Sequence, residues 1–365
     1  MSSRFGSLLG ISLFGQSHGP AVGVTIDGFP AGMQVDEEEL RFQLSRRAPG
    51  RSSVTTLRQE KDAYEFLSGV LAGVTTGQPI CAIIRSDGQR SADYGEEMEY
   101  PRPSHADYTG HVRYYGFEDF RGGGSFSGRL TAPIVLAGGL CRQFLAKRGI
   151  RIAAHIARIA DCEDQAISEI PAGTDLRYLQ RMILPTLRPD AGAEMERIIL
   201  AAKQDGDSVG GCIACRIDGL PPGLGAPFFD SAESVLSHLL FSVPGVKAVS
   251  FGDGFDLARL RGSEANDPFC VDAAGQIATV TNRAGGLNGG ITNGMPVLFT
   301  CALRPTPSIG KPQQTVSLKT METVERTIQG RHDPCIVPRA VPVIEAMAAI
   351  GIMELWKERA SCVSA

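Results

Sequence analysis

The sequence predicts one large α/β (α+β) unit built from two similar halves. Three observations predict it. Strand-like runs and capped helices alternate along the whole chain, as in domains that pack both element types around one core. No low-complexity linker interrupts the 365 residues, a length that suits one large domain or two small ones. Two short signatures also occur twice, in the same order. Ile26-Asp27-Gly28-Phe29-Pro30-Ala31-Gly32 matches Ile217-Asp218-Gly219-Leu220-Pro221-Pro222-Gly223, and Gly73-Val74-Thr75-Thr76-Gly77-Gln78-Pro79-Ile80 matches Gly290-Ile291-Thr292-Asn293-Gly294-Met295-Pro296-Val297. That interval is far too long for a solenoid. The expectation is a single domain over 1–365 with like halves at about 1–200 and 201–365. Shared turn chemistry is the competing explanation, because Asp-Gly and Gly-x-Pro are common turn formers.

Each element has a local cause. Asp36 is placed to cap a helix over 37–45, with Glu39 completing a capping box. Arg46-Arg47 and then Ala48-Pro49-Gly50 end it. Apolar runs at 80–84, 211–217 and 297–303 read as strands. Thr131 can cap a helix to about 147, whose Ile134, Ala137, Cys141, Phe144 and Leu145 share one face. Pro133 then falls in the first turn, where a missing N–H costs nothing. Further helices are expected over 231–240 and 341–359.

Composition excludes several classes. Hydrophobic residues at 43% and charged residues at 21% suit a soluble globular protein. A net charge of -4 argues against general nucleic-acid binding, which needs a positive field. The longest apolar stretch, 132–141, is broken by Pro133, Gly138 and Gly139 and is too short to span a bilayer. No basic start precedes an apolar run, so no signal peptide is expected. Cys212 and Cys215 form the one C-x-x-C among nine cysteines, with no second pair to complete a zinc site. On a strand the two would point to opposite faces. Reduced, mostly buried cysteines fit a cytoplasmic compartment, and no metal is expected.

The candidate chemistry lies in loops. His18 stands in Gln16-Ser17-His18-Gly19-Pro20, directly after an apolar strand. His105 lies with Arg102 and Asp107 in Arg102-Pro103-Ser104-His105-Ala106-Asp107. An imidazole there can protonate an anion near neutral pH, and Asp107 could orient it. Taken singly, each segment reads more readily as a polar turn. His155 and His238 fall in apolar patterns and read as structural. Arginines gather where glycine or proline stiffens the chain: Arg46, Arg47 and Arg51 around Pro49-Gly50, Arg121 and Arg129 around Gly122-Gly123-Gly124, and Arg331 and Arg339 around Asp333-Pro334. Guanidinium is a natural fork for phosphate and carboxylate, so an anion site is expected. The run 122–127 ahead of a helix resembles an anion cradle. It is neither a Walker A loop nor a Rossmann fingerprint.

Together these segments resemble the chorismate synthase family over nearly the whole chain. The N-terminal signature is matched by Gly15-Gln16-Ser17-His18-Gly19-Pro20 through Ile26-Asp27-Gly28-Phe29-Pro30, and the basic loop by Arg46-Arg47-Ala48-Pro49-Gly50, Thr55-Thr56 and Arg58. Gln89-Arg90-Ser91-Ala92-Asp93-Tyr94, the His105 segment and Arg121-Gly122-Gly123-Gly124 follow in order. Gly206-Asp207-Ser208, Gly252-Asp253-Gly254, Arg304-Pro305-Thr306-Pro307-Ser308 and Gly330-Arg331-His332-Asp333-Pro334 complete it.

The resemblance implies a β-α-β sandwich, a homotetramer, and a lyase. The lyase converts 5-enolpyruvylshikimate 3-phosphate to chorismate by 1,4-anti elimination of phosphate. It uses reduced FMN (FMNH2) without net redox change. It implies that His18 protonates the departing phosphate, that His105 sits by the reduced flavin, and that Asp333 assists removal of the ring proton through the flavin N5. Arg46, Arg47, Arg129 and Arg331 would hold the substrate. Arg47, Ser125, Phe126, Ser127, Pro244, Gly245, Gly289, Arg304, Pro305, Thr306, Pro307, Ser308 and Arg331 would contact cofactor. A separate flavin reductase is implied, with NADPH only an indirect reductant. The chain departs from many relatives at Ser125-Phe126, where they carry Arg-Ser, and at Ala48, Ser53 and Ser104. These changes bear on phosphate and NADP contacts and leave His18, His105 and Asp333 intact. The rival readings are an NADPH-dependent flavin reductase and a flavin-binding protein without catalysis.

Overall fold

Alternating apolar residues build two five-stranded antiparallel sheets, which enclose a layer of helices. The computed structural model describes residues 3–50, 54, 62–86, 99–171, 173–328 and 332–362. Arg51, Ser53, Thr55, Thr56, Arg58, residues 89–94 and Arg331 lie outside these. The first sheet has β1 (Arg4–Phe5), β2 (Gly10–Gly15), β3 (Ala21–Asp27), β4 (Tyr64–Ser68) and β5 (Ile80–Arg85), in the order β1-β2-β3-β5-β4. Val22, Val24 and Ile26 of β3 and Ile80, Ala82 and Ile84 of β5 are buried, the period of two that turns one sheet face inward. The second sheet has β6 (Arg151–Ile159), β7 (Cys162–Glu163), β8 (Gly211–Asp218), β9 (Val246–Phe251) and β10 (Val297–Leu303), in the order β9-β10-β8-β6-β7.

The repeated signatures occupy matching places. Ile26 pairs with Ile80 across β3 and β5, and Ile217 with Val297 across β8 and β10. Thr75 and Thr292 make the same bonds. Their hydroxyls donate to Pro30 O and Pro221 O, both at 2.7 Å, and accept from Met33 N and Leu224 N, both at 2.9 Å. Gly28, Gly32, Gly73 and Gly77, and their counterparts Gly219, Gly223, Gly290 and Gly294, all have positive φ, a region L-residues enter only with strain. The second sheet opens at Arg151, because β6 pairs with β8 along its length. The division between the two sheets falls near residue 150.

Six helices matter here: α1 (Glu37–Arg47), α2 (Asp107–Arg113), α3 (Thr131–Ala146), α4 (Pro189–Gln204), α5 (Ala232–Phe241) and α6 (Val337–Ser361). Asp36 caps α1 by accepting from Glu39 N at 3.0 Å. The expected capping box is half formed: Glu39 accepts from Gln43, and the Asp36 N–H donates to Gln143 instead. Thr131 is the first residue of α3, not its cap, and its hydroxyl donates to Gly128 O at 2.6 Å. α6 starts four residues before the expected 341. Pro342 resembles a start signal, but burial of Val337, Pro338, Ala340 and Val341 carries the helix past it.

α3 and α6 pack against each other between the sheets, α3 toward β3 and β5, α6 toward β6 and β8. Gly138 is a contact point with α6 and Gly139 one with α1. A β-carbon on Gly138 would stand 2.3 Å from Ala346 Cβ, and one on Gly139 2.6 Å from Leu40 Cδ2. Each glycine costs a helix about 1 kcal/mol relative to alanine; the close approach of neighbouring elements offsets that cost. Glu345 of α6 is fully buried between Arg46 and Arg142, and accepts from Ala154 N at 3.1 Å. Burial alone would raise its carboxyl; the two guanidinium groups outweigh that and hold it below its ordinary value. All nine cysteines are free thiols, with Cys212 half-buried and Cys215 buried. Among the described residues no helix is long and apolar enough to cross a membrane.

Candidate active site

The glycine loop before α3 organises the site. Gly122, Gly123 and Gly124 have φ of 59°, 84° and 53°, so the chain turns tightly with no side chains in the way. The space that their missing side chains leave is filled by imidazoles. A β-carbon on Gly122 would lie 2.4 Å from His18 Cδ2 and 2.5 Å from Nε2; one on Gly123 would lie 3.1 Å from His105 Cε1. Ser17 N donates to Gly124 O at 3.0 Å, which ties the β2–β3 turn to the loop. Two histidines far apart in sequence thus rest on adjacent glycines. His18 is buried.

Each imidazole has a carboxylate neighbour. His105 Nδ1 is 2.5 Å from Asp107 Oδ1. Arg102 donates to Asp107 through Nε at 2.7 Å, Nη2 at 2.8 Å and its backbone N–H at 2.9 Å. Burial would raise the Asp107 carboxyl, but hydrogen bonds from Arg102 and His105 hold it well below the usual range. Asp119 accepts from Arg121 at 2.7 and 2.8 Å. It is lowered first by Arg121 and, more weakly, by the charge of nearby His18.

A cavity of about 590 Å³ opens beside this loop, within the size range of small-molecule sites. Of the residues expected from sequence, Arg47, His105 and Asp333 line it, as do Ser125 and Phe126. Pro244, Gly245 and the run Arg304, Pro305, Thr306, Pro307 and Ser308 form another part of its wall. His18 stands behind Gly122. Arg129 is turned to Asp62, whose buried carboxylate also takes Arg47 Nη2 at 2.8 Å. Asp333 accepts from Arg339 Nη1 at 2.5 Å, and Arg339 Nε donates to Arg47 O at 3.0 Å. One ionic network therefore joins α1, the glycine loop and the start of α6. Burial pushes the neighbouring His332 down.

Three expected residues lie elsewhere. Arg46 sits beside Arg47, but a helix turns about 100° per residue; Arg46 faces the core, with Gln43 and Glu345. Ser127 caps the turn after the loop by accepting from Arg129 N at 3.3 Å. Gly289 lies in the hairpin joining Leu287–Asn288 to Ile291–Thr292 and does not line the cavity of this chain. Phe126, at the family departure, leans on buried Gly110 of α2, where a β-carbon would meet Phe126 Cε2 at 2.6 Å. His155 is buried, 3.1 Å from Asp164, and His238 packs edge-on to Phe5.

Sequence reasoning had not assigned Asp62, Asp119, Arg339 or Lys247 to the site. Only Arg339 carried a signal, its spacing from Asp333-Pro334. Asp62 reaches the site through chain folding alone, and Asp119 stands two residues before Arg121 without any motif signal. Among the described residues no group of His, Cys, Asp and Glu could hold a metal ion.

Paired imidazoles, oriented carboxylates and guanidinium groups around one cavity define an acid–base enzyme for an anionic small molecule. The comparisons narrow this class. A chorismate synthase family model matches residues 9–356. A chorismate synthase of Korarchaeum cryptofilum is 43% identical over 350 residues, 96% of each chain. One from Thermococcus kodakarensis is 44% identical over 362 residues, 97% of this chain and 98% of the other. A solved structure titled as the crystal structure of chorismate synthase superposes with a TM-score of 0.76 at 28% identity, covering 97% of this chain and 93% of that one. The chain belongs to the chorismate synthase family. It is thus an enzyme, a lyase in chorismate formation on the shikimate pathway.

Proposed function

We propose that this chain converts 5-enolpyruvylshikimate 3-phosphate to chorismate by 1,4-anti elimination, with reduced FMN bound in the same cavity. The observation that carries the reading is the glycine loop on which His18 and His105 both rest, beside a cavity that Asp333 also lines. Reduced FMN, when bound, would lend the substrate electron density and regain it, so no net redox change results. The residues suit such a group. The cavity is large enough, its wall carries Arg47, Arg304 and Arg339, and buried Thr306 Oγ1 has no hydrogen-bond partner among the described residues.

Phosphate leaves poorly with its full charge, so a proton donor and guanidinium groups lower the barrier. In this reading His18 donates that proton from a buried position where water competes little. Arg47 and Arg129 hold the ester, and Asp62 keeps both guanidinium groups in one orientation. Asp333, fixed by Arg339, assists removal of the ring proton through the flavin N5. Asp107 sets the ring of His105 at the flavin. Ser125, Phe126, Pro244, Gly245 and the 304–308 run complete the flavin wall. The same reading includes a homotetramer of like-halved chains in the cytoplasm, a separate flavin reductase, and NADPH only as indirect reductant.

The test is anaerobic: reduced FMN and the phosphate ester are supplied, and chorismate absorbance and free phosphate are followed. Equal formation of both is expected. Steady NADPH oxidation with FMN alone would instead make the chain a flavin reductase. Tight FMN binding without elimination would make it a binding protein.

A further inference from the structure

We infer that Ser208 is a positioning residue for the reaction: its hydroxyl fixes the run from Arg304 to Ser308 at a set place relative to Asp333. The inference rests on the reading above that this run and Asp333 face the reacting groups. It gives a role to Gly206-Asp207-Ser208, a motif with no residue in the cavity wall.

Strand order brings the segments together. β8 starts at Gly211 and pairs there with Leu303, the last residue of β10. The turn that enters β8 therefore lies beside the run that leaves β10. The approach is close: a β-carbon on Gly210 would stand 2.5 Å from Leu303 O and 2.9 Å from Pro305 N. The run itself is stiff and poor in donors. Pro305 and Pro307 fix φ and lack N–H groups, and each pushes the residue before it, Arg304 or Thr306, toward extended backbone. Such a run is set by bonds from outside. The Arg304 N–H donates to Gly245 O at 2.9 Å at one end, and the Gly310 N–H donates to Gly206 O at 2.8 Å at the other. Between them Ser208 Oγ donates to Thr306 O at 2.7 Å.

The same turn reaches Asp333. The Val209 N–H donates to Pro334 O at 2.9 Å, one residue after Asp333. Two adjacent residues thus hold the wall on one side and the segment of the carboxylate on the other. The turn is braced in its own right. Lys311 binds Asp205 and Asp207, the latter at 2.9 Å, and Asp207 Oδ1 accepts from Ser208 N at 2.8 Å. Thr306 shows what the tie does. Its hydroxyl is buried with no partner among the described residues, a state that by itself disfavours this rotation of the run. The bond from Ser208 to the carbonyl of the same residue holds it there.

The experiment compares the full chain with Ser208→Ala, which removes the hydroxyl, and Ser208→Thr, which keeps it. Ser208 is half-buried, so both variants should fold. Two readouts are taken: hydrogen exchange by peptide in the unliganded chain, and kcat and KM with reduced FMN and the phosphate ester under anaerobic conditions. In Ser208→Ala the 304–311 peptide should exchange about tenfold faster, the worth of one hydrogen bond, with α4 as in wild type. Its kcat should fall by about the same factor, with the KM for the ester unchanged, because Arg47 and Arg129 hold the ester elsewhere. Ser208→Thr should restore both. Equal losses in the two variants overturn the inference, since packing and not the hydroxyl would then be at work. So does wild-type exchange or wild-type kcat in Ser208→Ala, and so does a raised KM at unchanged kcat. Each of these leaves the proposed function standing, because the wild-type chain is active in all of them. A wild-type chain that binds reduced FMN and forms no chorismate overturns the proposed function and this inference with it.

Discussion

Gly122→Ala is the sharpest probe of how the glycine loop sets His18. The added methyl would lie 2.4 Å from His18 Cδ2, where ordinary contact begins at 3.4 Å. The imidazole or the loop must therefore give way by about 1 Å, a misplacement that can cost about 100-fold in rate. The φ of 59° adds about 1–2 kcal/mol of backbone strain for an L-residue. The expected result is an approximately 100-fold loss of chorismate formation with a folded, slightly less stable protein. Gly262→Ala, a site with nothing within 4 Å of the added carbon, should behave as wild type. If the loss acts through His18, Gly122→Ala in a His18→Ala background should cost little more, which a double-mutant cycle measures. Full multiplicative losses in the double variant would refute the reasoning. So would wild-type turnover in Gly122→Ala.

Other outcomes follow from the same geometry. His18→Ala and His105→Ala should each slow turnover about 100- to 10,000-fold, the usual value of a positioned acid or base, with circular dichroism unchanged; wild-type rates in both would remove their roles. Arg46→Ala should lower stability by about 1–3 kcal/mol, because buried Glu345 loses one of its two guanidinium partners and keeps only Arg142. Arg47→Ala should instead chiefly raise the KM for the phosphate ester, so matched effects at the two positions would contradict the division made here. Glu345, held low by Arg46 and Arg142 against burial, contributes stability in full above its unfolded value of about 4.3. That contribution should vanish as pH falls through the depressed folded value, and Glu345→Gln should flatten the acid limb of an unfolding-midpoint profile.

Local chemistry was legible where it is enforced locally. The Asp36 cap, the stop at Pro49-Gly50, the strand periodicity and the left-handed glycines of the two signatures all follow from neighbours in the chain. The order of the motifs was enough to indicate the family. The chain alone could not say which of two adjacent arginines faces the cavity, since that depends on the rotation of α1 against α6. Nor could it show that Glu39 would turn from Asp36 to Gln43, or that α6 would run past Pro342, because in each case packing outweighs a local preference. Asp62, Asp119 and Lys247 carry no motif signal. The role of Asp62 arises when distant segments meet: a carboxylate gains meaning from two guanidinium groups brought to it.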